Sequence, residues 1–163
     1  MNLISMNMRL ILLLCLFFFC RSGWSQTTRI TSFENLMKSL NAGEHVRVVI
    51  HYALCKWSAE QKDQSPVPDA ISGMDIDTYE YFAPGAAHNN KIAFVVFANS
   101  KLIQNPIGKG FVYNYGKVRI NADNSVMVTA KYINPRNYKV LMDESFIGKL
   151  NDGSANEGID LFK

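Results

Sequence analysis

The chain is predicted to fold as a mainly β domain, one N-terminal helix followed by an antiparallel meander of about seven or eight strands that curls into a curved sheet or small barrel, with a two-layer sandwich as the alternative. Three observations predict this. Apolar residues recur at helical spacing only near residue 33, they alternate with a period of two from residue 45 to the end, and turn-forming residues divide the alternating stretches at short intervals.

Residues 10–20 (LILLLCLFFFC) form an unbroken apolar run bounded by Arg21. At about 1.5 Å per helical residue such a run spans roughly half a bilayer core, too short for a stable membrane anchor. Gly23 and Ser25 occupy the −3 and −1 places of a signal-peptidase site. Residues 1–25 are therefore expected to be a signal peptide, and residues 26–163 a single secreted domain, extracellular or, in a bacterium, periplasmic. Cys20 follows three phenylalanines, where a lipobox needs small residues. Loss of Arg9 and Arg21 with the signal reduces the 17 basic residues to 15 against 14 acidic, so overall charge makes no case for nucleic acid or an anionic membrane. Only Cys55 of the three cysteines survives processing, which excludes an internal disulfide and leaves it a buried thiol, the seam of a disulfide-linked homodimer, or a nucleophile.

The helix is expected to begin with Thr31 as N-cap and Glu34 completing a capping box. Phe33, Leu36, Met37 and Leu40 form its apolar stripe, and Gly43 supplies a left-handed stop. Val46, Val48, Ile50 and Tyr52 then point one way and Arg47 and His51 the other, as on a half-buried strand. Residues 56–69 read as a loop. Residues 70–82 read as one strand with Asp75, Asp77, Tyr79 and Tyr81 on one face. Residues 91–98 are apolar on both faces, which marks a doubly covered strand. Residues 111–120 and 125–133 form a hairpin through the four-residue link 121–124, residues 134–137 turn the chain again, and residues 158–163 make a terminal strand.

No catalytic constellation stands out, and no cofactor or metal motif is present. His45 and His51 lie about 20 Å apart along one strand and cannot share a metal through it. The Asp75/Asp77 pair is the one arrangement that would suit a carbohydrate-active or other hydrolase, but calcium binding or glycoside hydrolysis would need further ligands or burial. The row Phe111, Tyr113, Tyr115, with Tyr132 on the paired strand, is expected to line an inner cavity or stack on a ligand.

Phe33, Leu36, Leu40 and Gly43 of the helix, the 46–50 strand, Cys55, and then Ile71, Gly73 and Ile76 occur in an order that resembles the VirK family. The likeness extends through the Asp123-Asn124-Ser125-Val126 hairpin to residues 132–135. It implies a small exported protein, of a family named from a virulence locus of a plant-associated bacterium, with no established catalytic activity and no active-site residues to carry over. The expected function is that of a secreted, non-enzymatic binding or matrix protein.

Overall fold

A computed structural model describes residues 27–59, 66–154 and 156–163. The expected signal peptide lies outside these residues. Ten strands and one α-helix are found among the described residues: β1 (Arg29–Ile30), α1 (Phe33–Asn41), β2 (Arg47–His51), β3 (Lys56–Trp57), β4 (Ile71–Asp75), β5 (Glu80–Phe82), β6 (Phe94–Gln104), β7 (Phe111–Asn121), β8 (Ser125–Ile133), β9 (Val140–Lys149) and β10 (Ile159–Phe162). A 3₁₀ turn, Tyr52–Leu54, follows β2.

The strands form two antiparallel sheets, a four-stranded one ordered β1-β10-β2-β4 and a six-stranded one ordered β3-β9-β8-β7-β6-β5. The mainly β class and the meander hold, the latter from β5 to β9. Curling into a closed barrel does not occur among the described residues. The alternating segment 70–82 is divided instead, β4 joining the smaller sheet and β5 the larger, so Asp75 and Tyr81 never share a face. The terminal strand also leaves the meander, lying between β1 and β2.

Alternation decides which side of each sheet is buried. Val48, Ile50, Ile159 and Leu161 of the smaller sheet share one core with Val118, Ile120, Val126, Val128 and Phe146 of the larger. Fully burying one such side chain is worth about 1.5–3 kcal/mol, so this shared core is the main source of stability. The doubly apolar start of β6 is covered on its outer side as well, where Phe94 stacks on Phe82 with centroids 4.8 Å apart and the Arg119 guanidinium lies 3.7 Å over its ring.

The helix plugs one end of this sandwich through Phe33, Leu36 and Leu40. Its N-cap is Ser32 rather than Thr31, with the Ser32 hydroxyl accepting from Asn35 N–H at 3.2 Å. Moving the cap by one residue takes Glu34 out of the capping-box position. A second cap comes from the β7–β8 turn, where Asn124 Oδ1 accepts from Phe33 N–H at 2.8 Å. Gly43 ends the helix region at φ +71°, the left-handed turn expected of it.

Candidate functional site

At the end of the sandwich away from the helix, the long strands β6–β9 run past the smaller sheet and leave a groove of about 490 Å³ between the two. The register of the larger sheet lays out its floor. Asn99, Gly116, Ala130 and Glu144 sit opposite one another across β6, β7, β8 and β9, and Lys101, Asn114, Tyr132 and Met142 form the next row outward. The small residues Gly116 and Ala130 create a central depression, with amides on one side and a carboxyl on the other. Tyr52, Ser72 and Met74 form the facing wall.

Phe146 closes the inner end of the groove. It is fully buried and packed by Trp57, at a centroid distance of 4.6 Å, and by Tyr52 at 4.7 Å. The Tyr52 hydroxyl lies 3.2 Å from Ser72 Oγ, which fixes the ring between the sheets, and burial pushes the phenol above its ordinary pKa. Met74 reaches across from β4 so closely that a Cβ on Gly116 would stand 2.7 Å from its Cε. Glu144 is half-buried, and burial raises its carboxyl above the usual carboxylate range. None of the ion pairs among the described residues includes it.

Of the expected aromatic row, Tyr115 and Tyr132 border this groove and Tyr113 does not. The row itself is split. Tyr132 pairs with Asn114, whereas Tyr113 pairs with Ile133 and Tyr115 with Lys131. Directly paired residues share a face, so Tyr132 points between the sheets and Tyr113 and Tyr115 point outward. The cause is the turn. β7 ends at Asn121 and β8 begins at Ser125, so three residues link them, with Asn124 in the left-handed region at φ +65°, and one residue fewer than a four-residue link moves every side chain of β8 to the other face.

The other candidate residues lie away from the groove. Asp75 Oδ1 takes a 2.9 Å hydrogen bond from Arg47 Nη1 on the outer side of the smaller sheet, with His45 Nε2 at 3.9 Å. Asp77 is exposed in the crossing between the sheets. His51 Nε2 stands 3.3 Å from Asp160 Oδ2, and Arg29 Nη2 stands 3.4 Å from the other oxygen, a cluster on the same outer face. Among the described residues no three His, Cys, Asp or Glu side chains gather as a metal site would need. Cys55 is 6% exposed, its Sγ wedged near Gly148 and Gly158, and burial pushes its thiol up to about 11. A thiol so placed is largely protonated at neutral pH and cannot meet a second chain's sulfur without local opening. Glu144 and Phe146 were invisible as site residues because their significance depends on strands far away in sequence; the alternation of residues 140–149 was the available signal.

Comparison with known proteins follows the same outline. A family model described as VirK protein matches residues 29–138. The crystal structure of a VirK family protein from Legionella pneumophila superposes with a TM-score of 0.63 at 15% identity, covering 83% of this chain and 98% of the other, a likeness of fold. No curated protein matches the chain.

Proposed function

This chain belongs to the VirK family, and from the groove between its sheets we propose that it is an exported, non-enzymatic binding protein whose ligand lies over Gly116 and Ala130 and against Glu144. The observation that carries the reading is Glu144 itself. A carboxyl half-buried beside Met142 and Phe146, with its pKa raised by burial, is costly to keep charged, and a bound cation would relieve that cost. Asn99 and Asn114 offer amide hydrogen bonds on the other side, and Met74, Met142 and Tyr132 offer apolar surface. The chemistry fits a small amphiphile that carries an amine.

Titration with octylamine and phenethylamine, with octanoate as the opposite charge, tests this. The amines are expected to bind more tightly than octanoate. Glu144→Gln should weaken amine binding about tenfold, the worth of a charge-assisted hydrogen bond. Gly116→Val should block the groove while Met74, a flexible side chain, gives way. Absence of amine binding, or an unchanged affinity in Glu144→Gln, would sink the reading.

The same residue predicts a pH effect. Because burial raises the folded pKa of Glu144 above its unfolded value, its stabilising contribution is complete below the unfolded pKa and is lost as pH rises through the folded one. Glu144→Gln should therefore melt higher than the parent at pH ~7, and this gain should vanish below pH ~4. Thermal melts of the two proteins across that range check the sign.

Export is supported by the composition of residues 1–25, and a monomeric product by the burial of Cys55. Intact-mass analysis of exported protein, without reducing agent, is expected to show a single chain beginning at Gln26. A product retaining Met1 would remove the export reading, and a doubled mass would establish Cys55 as an intermolecular disulfide.

A further inference from the structure

The two turns that end the long strands, 105–110 between β6 and β7 and 134–139 between β8 and β9, project from the same end of the larger sheet. They carry the exposed side chains of Ile107 at 71% and Tyr138 at 73%, and Phe111 at 63% opens β7 directly after the first turn. Behind them the register aligns Leu102, Tyr113, Ile133 and Val140 directly across β6, β7, β8 and β9 on the outer face, an apolar band spanning four strands. Water-facing side chains of this kind usually occur singly, and a contiguous band marks an interaction surface.

Charge identifies what the surface meets. Residues 102–113 and 133–142 contain Lys109, Arg136 and Lys139 and no aspartate or glutamate, although residues 26–163 as a whole are nearly neutral. We infer that this end of the sheet docks on an anionic phospholipid surface, with Ile107, Phe111 and Tyr138 entering the interfacial layer and the basic residues meeting the headgroups. Protruding turns that combine bulky apolar tips with flanking cations suit a soft interface, which accepts each side chain independently, better than the flat matched surface of a protein partner. Ile107 also borders the groove, so the inference rests on the exposed turns and the outer band, with Phe111 and Tyr138 away from the groove lining.

Flotation of the purified protein with phosphatidylcholine vesicles, with and without an equal part of phosphatidylglycerol, provides the test. Binding is expected only with the anionic lipid, and raising ionic strength should release it. Each cation near such a surface contributes roughly fivefold, so Lys109→Gln with Arg136→Gln should lose about 25-fold in affinity. Both positions are exposed in turns, so folding is preserved. As an independent reporter, Tyr138→Trp should shift its emission to the blue on anionic vesicles. Equal binding to neutral vesicles, undiminished binding by the double variant, or an unshifted tryptophan would each overturn the proposal. So would failure to float while an acidic protein retains the chain, which would make the surface a protein interface.

Discussion

Phe146→Ala is expected to lower the unfolding free energy by about 3–5 kcal/mol, the range for deleting a buried phenylalanine ring. Three features place it near the upper end. Phe146 is fully buried, it touches the rings of both Trp57 and Tyr52, and it stands where β3 and β9 meet the smaller sheet. Removing it leaves a cavity that two aromatic neighbours cannot readily fill. Aromatic pairs add about 0.5–1.5 kcal/mol each beyond burial. For a chain of this size the melting temperature should fall by roughly 10–20 °C. Phe146→Leu, which retains most of the volume, should cost visibly less, and thermal or denaturant unfolding of both variants measures the difference. A Phe146→Leu variant as stable as the parent would show that the aromatic contacts contribute nothing beyond filling space, and a loss equal to that of Phe146→Ala would show that filled volume is not what Phe146 supplies.

Asn124→Ala is expected to cost about 2–3 kcal/mol, although the residue lies in a surface turn. The side chain caps α1 by accepting from Phe33 N–H, so alanine loses a helix-cap hydrogen bond worth about 1 kcal/mol. The backbone sits at φ +65°, where asparagine is tolerated and alanine costs about 1–2 kcal/mol. Two further variants separate these contributions. Asn124→Gly keeps the left-handed turn and loses only the cap, so about 1 kcal/mol should disappear. Asn124→Asp keeps an acceptor and adds a negative charge at a helix N-terminus, so it should remain close to the parent. Because the Asn124 carbonyl also accepts from Leu150 N–H at 2.9 Å, the turn ties α1, the β7–β8 hairpin and the end of β9 together. Unfolding curves of the three variants test the ordering.

The turn at Asn124 also shows why the candidate site was only partly legible. Val118 and Ile120 on one strand and Val126 and Val128 on the next are all buried, and their alternation is compatible only with the three-residue connection. Under a four-residue link Arg119 would face Val126. The information was present in the paired apolar pattern, but reading each strand by itself put Tyr132 beside Tyr113. The Asp75 to Tyr81 stretch failed for a different reason. Its alternation continues through the point where the chain crosses from one sheet to the other, and periodicity records a local conformation without recording its partner. Neutral overall charge likewise concealed the basic, acid-free turns, because an average over residues 26–163 carries no position.

Local physics in the chain itself determined the helix stripe of Phe33, Leu36 and Leu40, the left-handed Gly43, the alternation that buries Val46, Val48 and Ile50, the turn positions and the β-rich class. These depend on dihedral preferences and on side chains a few residues apart. Tertiary structure alone decided that the strands divide into two sheets, that β10 returns to lie between β1 and β2, and that Glu144 shares a groove floor with Gly116 beneath the wall that holds Met74. The physical reason is that strand pairing is made by backbone groups common to every residue. Which edges meet is chosen by burial summed over the whole molecule, and that sum exists only once the chain is folded.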